Sequence, residues 1–210
     1  MVSPLAHECS LTWKVDMKTI AVAMLALALS ANCEAGPFGL EMGTSLQALQ
    51  SKAKLKAEAP YLYGAVNLPD SHPAFRDYKL VVTPQHGLCK VFAWTPEVLT
   101  NVYGSELLSA FDRYFDALSS KYGKANRYDF LRTGSIWSDS KDWMMALTKK
   151  ERTLAAFWSS EKLRLPDNIA SIKLEATASG TERGAIMLGY EFKNGDECLA
   201  WIRAQKDSKL

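Results

Sequence analysis

An α+β fold, mainly an antiparallel sheet built of hairpins with about three helices packed on one side, is predicted by three observations. Paired β-rich runs flank turn-forming segments at 75–94 and 170–192, and apolar residues recur at helical spacing over 105–122. Strand and helix patterns nowhere alternate in the β-α-β manner that a parallel sheet requires. The 210 residues are 48% hydrophobic and 23% charged, and 12 Gly with 8 Pro exclude collagen-like and low-complexity chains. No apolar run approaches the roughly 18 residues of a membrane helix, which excludes a multispanning protein.

Residues 1–35 read as a leader. Met17 and Lys18 precede an unbroken apolar stretch at 20–29 and a small-residue exit ending in Ala35, the layout of a secretory signal peptide over 17–35. Residues 1–16, carrying Glu8 and Asp16, suit no compact basic leader and point to a start at Met17. Ser30-Ala31-Asn32 before Cys33 departs from the bacterial lipidation pattern, so a lipid anchor through Cys33 is not expected. A periplasmic or secreted location follows as the expectation, with residues 36–210 forming one α+β domain.

Within that domain, Thr44 is placed to cap a helix while Gln47 reaches back, with Leu46, Leu49 and Ala53 on one face and Pro60 as the stop. Residues 61–66 read as a strand and 67–73 as a loop. The runs 75–82 and 88–94 flank the turn 83–87 and predict a hairpin. Along its second strand, alternation sets Cys89, Val91 and Ala93 on one face and Leu88, Lys90, Phe92 and Trp94 on the other.

Leu107, Leu108, Phe111, Phe115, Leu118 and Tyr122 form a helical stripe that Gly123 ends. The stretch 143–158 fits either a helix, through Trp143, Leu147, Leu154 and Trp158, or a hairpin turning at 149–152, and the hairpin is favoured. Its pattern echoes 80–94, which hints at two related halves meeting near 134–141. Ala170, Ile172, Leu174 and Ala176 alternate with polar residues, as do Ile186, Leu188, Tyr190 and Phe192, to give a further hairpin. Asn194 and Glu197 then form a capping pair for a terminal helix that turns Cys198, Leu199 and Ile202 inward.

Beyond the leader only Cys89 and Cys198 remain, an even count that an oxidising compartment would join as one disulfide. No Cys-x-x-Cys supports redox chemistry. Without the leader, which holds Lys14, Lys18, Glu8, Asp16 and Glu34, the balance is 23 basic to 20 acidic residues. That mild excess is dispersed apart from Lys52, Lys54 and Lys56, read as a solvated helix face, and the turn at 149–152, so no nucleic-acid partner is expected.

Catalytic spacing is sparse. His72 and His86 fall in separate turns without a metal-ligand pattern; a site of these two completed by Asp70 or Asp77 is left open as an alternative, and no metal or cofactor is expected. No Gly-x-Ser-x-Gly elbow, phosphate-binding loop or dinucleotide fingerprint is present. Asp139 and Asp142 beside Trp137 and Trp143 suggest a glycan cleft, although two acids in one loop seldom face each other across a bond. Trp94, Trp137 and Trp143 are instead taken as a binding surface, since tryptophan is enriched at interface hot spots.

The segment Phe38-Gly-Leu-Glu-Met-Gly43 followed by Thr44-Ser-Leu-Gln-Ala-Leu49 resembles the strand, glycine, cap and helix start of SmpA/OmlA-type outer-membrane assembly proteins. Gly87-Leu-Cys-Lys-Val91 and Lys121-Tyr-Gly-Lys124 look like segments of uncharacterised secreted proteobacterial proteins. The first resemblance implies a non-catalytic envelope protein that works through protein contacts. The expected function is therefore binding of an envelope protein, as an accessory, inhibitor or immunity-type factor. The alternatives are an envelope hydrolase acting on cell-wall glycan through Asp139, Asp142 or the histidines, and a small-ligand binder with an apolar pocket.

Overall fold

The computed structural model describes residues 36–208, so the leader expectations lie outside the described residues. In chain order the elements are α1 (Leu46–Lys52), β1 (Lys54–Ala59), β2 (Leu62–Val66), β3 (Asp77–Thr83), β4 (Gly87–Trp94) and β5 (Val98–Leu99). They continue with α2 (Ser105–Tyr122), β6 (Asn126–Leu131), α3 (Trp143–Thr148), β7 (Arg152–Ser159), β8 (Ile169–Gly180), β9 (Arg183–Phe192) and α4 (Gly195–Asp207). The strands form one antiparallel sheet in the order β1-β2-β3-β4-β9-β8-β7-β6, with β5 paired to β9. This is the α+β architecture that the hairpin patterns predict.

The topology contains the same unit twice. A helix followed by a four-strand meander occurs as α1 with β1 to β4 and as α2 with β6 to β9, and the two last strands pair antiparallel. The chain passes between the units at 95–104, whereas 134–141 lies inside the second, between β6 and α3. By position in the meander, the counterpart of β3 and β4 is the β8–β9 hairpin, not 143–158.

Register explains the core. Tyr63, Leu80, Val91, Tyr190, Ile172 and Trp158 stand opposite one another across six successive strands. Leu49 of α1, Leu107, Phe111, Leu118 and Tyr122 of α2, and Met144 and Leu147 of α3 share their apolar core. Trp158 is fully buried, and its indole Nε1 donates to the Gly123 carbonyl at 2.8 Å, which fixes the end of α2 to β7. At the other end of α2, Glu106 Oε2 accepts from Thr100 Oγ1 at 2.7 Å and from Asn101 N at 3.1 Å. The hydroxyl of Thr100 holds the Glu106 carboxyl below its ordinary range.

Several local expectations are corrected. Ser45, not Thr44, caps α1 by accepting from Ala48 N at 3.3 Å, and Thr44 Oγ1 donates to the Glu41 carbonyl. The helix stops at Lys52, because pairing with β2 draws 54–59 into an edge strand despite its helix-forming residues. Lys54 and Lys56 therefore sit on a strand. The stretch 143–158 is no hairpin: α3 takes its first part and β7 its second, paired with β6 and β8.

Near the β3–β4 turn the register slips, so that Val81 opposes Lys90 while Val82 opposes Leu88. Cys89 is the extra residue of this bulge, and Leu88 joins the row of Val82 and Leu80 in the core. Simple alternation therefore fails at this one position. Cys89 is bridged to Cys198 of α4, with their Cα atoms 6.4 Å apart. Asn194 makes no side-chain cap; its Nδ2 donates to the carbonyls of His86 and Leu88 at 2.9 and 3.1 Å. Glu197 likewise pairs with His86 at 3.6 Å, and Trp201 meets the Tyr61 ring edge to face. These contacts hold α4 at the turn end of the sheet.

Candidate functional site

Two surfaces are formed by this fold, an open sheet face and a cleft beneath α2. The three helices α1, α2 and α3 cover one face of the sheet, and α4 covers the β3–β4 turn end of the other, where Cys198 meets Cys89 and Thr83 and Gly195 lies against Glu191; away from that end, residues alternating off the core reach the second face. In register, Trp94 stands beside Met187, then Glu175, Ala155 and Tyr128, crossing five strands. The neighbouring row runs Phe92, Gly189, Lys173, Phe157 and Asn126. A side chain at Gly189 would press on the Phe92 ring at 3.0 Å, so the missing side chain gives that ring its place.

Charges on this face are paired locally. Lys90 meets Glu191 at 2.8 Å, Lys173 meets Glu175 at 2.7 Å and Lys79 meets Glu58 at 3.0 Å. Two of these lysines lie by aromatic rings, Lys79 Nζ 5.7 Å from the Trp94 ring and Lys173 Nζ 5.7 Å from that of Phe157. Phe157, Tyr128 and Phe130 are 38%, 44% and 53% exposed, and Tyr128 packs edge-on against Phe157 at 5.8 Å. Aromatic rings with internally neutralised charges leave an apolar surface without a strong field.

The cleft, of ≈ 350 Å³, lies between the segment 36–38, the loop 70–75 and α2, with Leu188 and Tyr190 among its lining residues. Phe38 adopts φ 58°, a left-handed conformation that is costly for a bulky residue. In exchange its ring meets Phe75, Tyr78 and Tyr190 edge to face at 5.0 to 6.0 Å. Burial pushes the Tyr190 phenol well above its ordinary value of 10, and the adjacent Tyr122 phenol adds to this. Burial also raises Tyr78, whose hydroxyl donates to the His72 carbonyl at 3.1 Å. Both phenols therefore hold their protons at neutral pH.

Comparison of the chain with protein-family models, with curated proteins and with solved structures finds no match. Trp94 lies half-buried on the open face, and Trp137 is half-buried in the loop between β6 and α3. Trp143 is core instead, 7% exposed, with its ring against Gly104 and under the Arg152 guanidinium at 5.4 Å. Its position at the start of α3, where a helix must meet the sheet, gives it that role.

His72 lines the cleft with Asp70, and its Nδ1 accepts from Ala74 N at 3.1 Å; His86 sits at the β3–β4 turn with Glu197. The two histidines are not brought together, and Asp77 lies on β3. Among the described residues no cluster of three or more His, Cys, Asp or Glu is arranged to hold a metal. Asp139 is exposed and pairs with Lys141 at 3.5 Å, while Asp142 leads into α3, so the two acids frame no cleft. The aromatics Phe92, Tyr128, Phe130 and Phe157 were not singled out from sequence. Phe92 and Phe157 are aromatics among the polar-side residues of their strands, whereas Tyr128 and Phe130 face away from the core while the charges of β6 face it, and only the register assembles the four into one surface.

Proposed function

We propose that this is an exported, periplasmic protein without catalytic activity that acts by binding another envelope protein through the open face of its sheet. The observation that carries the reading is the aromatic surface of Phe92, Trp94, Tyr128, Phe130 and Phe157, on a face that α1, α2 and α3 leave uncovered and that α4 covers only at its turn end. Exposed apolar surface of this kind costs solubility unless a partner covers it, and aromatic side chains dominate the energetics of such contacts. The paired cysteines are compatible with an oxidising compartment, and no helix among the described residues is long and apolar enough to cross a membrane. The accessory, inhibitory and immunity-type roles all use a surface of this description.

The test is capture from an envelope extract by immobilised 36–210 protein, run beside a Trp94→Lys, Phe157→Lys variant. The reading expects one stoichiometric protein on the wild-type column and its loss from the variant. Equal retention by both, or an empty wild-type column, overturns it. A second reading, a small-ligand binder, is favoured by the cleft with its aromatic walls and the buried Tyr190 phenol. It expects a ligand that shifts thermal unfolding and that a Leu118→Trp variant excludes.

A further inference from the structure

We propose that edge strand β6 pairs with β6 of a second copy of this chain, antiparallel about a two-fold axis through Tyr128, continuing the sheet from one copy to the next. The two edges of the sheet differ in kind. The β1 edge carries Lys54, Lys56 and Glu58 and a bulge between Ala57 and Ala59, features that keep other strands away. The β6 edge pairs with β7 over six residues without a register shift, contains no proline and exposes Tyr128 and Phe130. Its other side has no strand partner among the described residues.

Arg127 and Asp129 on β6 would ordinarily guard an edge, but here they select a partner. Both point to the helical face: Arg127 meets Asp112 of α2 at 2.7 Å, and Asp129 meets Arg152 at 2.7 Å. In an antiparallel pair, opposed residues share a face, so a symmetric self-pairing must place one residue on the axis. An axis at Arg127 opposes two arginines, and one at Asp129 opposes two aspartates, both unfavourable.

An axis at Tyr128 opposes Arg127 to Asp129 of the other copy twice, and sets the two Tyr128 rings side by side on the open face. Each crossing then carries the alternating series Asp112, Arg127, Asp129 and Arg152, the last two from the second copy. Charge complementarity therefore favours a second copy in this one register. The pairing occupies the edge and leaves the Trp94 side of the open face free, so it goes beyond the partner-binding reading.

Analytical ultracentrifugation of the 36–210 protein is expected to show a monomer–dimer equilibrium. Arg127→Asp and Asp129→Arg each oppose like charges in the self-pair, and each weakens the dimer by roughly ten- to a hundredfold. Mixed in equal amounts, the two variants regain complementary charges at both crossings and form a heterodimer. Because these changes also break the bridges to Asp112 and Arg152, a Tyr128→Cys variant provides an independent reading that leaves both bridges intact. It forms an intermolecular disulfide under mild oxidation faster than an Ile136→Cys control, whose site is 77% exposed. A monomeric wild type at every soluble concentration, variants that fail to form the heterodimer while folded by circular dichroism, or equal cross-linking of the two cysteine variants would each overturn the proposal.

Discussion

Reduction of the Cys89–Cys198 bridge separates what holds α4 in the folded protein from what restricts the unfolded chain. The bridge spans 109 residues of sequence. In the chain-entropy account a loop near this length stabilises the folded state by about 4.7 kcal/mol, an upper-end figure. Asn194 on the His86 and Leu88 carbonyls, Glu197 on His86 and Trp201 on Tyr61 all remain when the bridge opens. Reduced protein therefore keeps its fold and loses stability mainly through a freer unfolded ensemble. For a domain of this size each kcal/mol moves the unfolding midpoint by about 2–4 °C, so the midpoint falls by roughly 10–20 °C. Tryptophan fluorescence during urea titration, with and without a phosphine reductant, measures the change and checks that the two forms share a native spectrum. A loss below about 1 kcal/mol would refute the loop-entropy reasoning. Loss of the native spectrum without urea would show that the remaining contacts do not hold α4.

Three further outcomes follow from packing and burial. Trp158→Ala removes a fully buried indole and orphans the Gly123 carbonyl, and costs about 3–5 kcal/mol in chemical denaturation. Gly104→Ala places a side chain at φ 73° where the Trp143 ring already lies, and costs about 1–3 kcal/mol by the same assay. Tyr190 keeps its proton in the folded state above the pH at which the unfolded phenol releases it, so the folded state binds more protons there. Stability is thus undiminished by this group below about pH 10 and falls as pH rises beyond it, and Tyr190→Phe shallows that alkaline decline in denaturation curves taken at several pH values.

Elements whose apolar period matches their environment were legible in the sequence. The stripe of Leu107, Phe111, Leu118 and Tyr122 marks α2, and Gly123 its end, because one helix face meets the sheet and the other meets water. The 87–94 and 169–192 strands were legible for the corresponding reason. β1 was hidden because Lys54-Leu-Lys-Ala-Glu-Ala59 consists of good helix formers, and only pairing with β2 makes it a strand.

β6 was hidden because its charges lie toward the helices and its aromatics toward solvent, the reverse of ordinary burial; Asp112, Arg152 and the rings of Phe111 and Phe115 make that arrangement tolerable for Arg127 and Asp129. The bulge at Cys89 reversed one expected face. Of the candidate surface, Trp94 was legible from strand alternation, whereas the rows that join it to Tyr128 and Phe157 depend on long-range register. The cleft depends on three distant segments meeting α2, which local patterns do not encode.

The central claim is that the open sheet face is where a partner binds, and hydroxyl-radical footprinting tests it most directly. The 36–210 protein would be labelled alone and after incubation with an envelope extract of its host, and modification would be read residue by residue by mass spectrometry. The account predicts that the extract protects Phe92, Trp94 and Phe157, while Tyr114 and His72 at the cleft keep their reactivity. Protection of the cleft residues with an unchanged open face, or no protection anywhere, would contradict it.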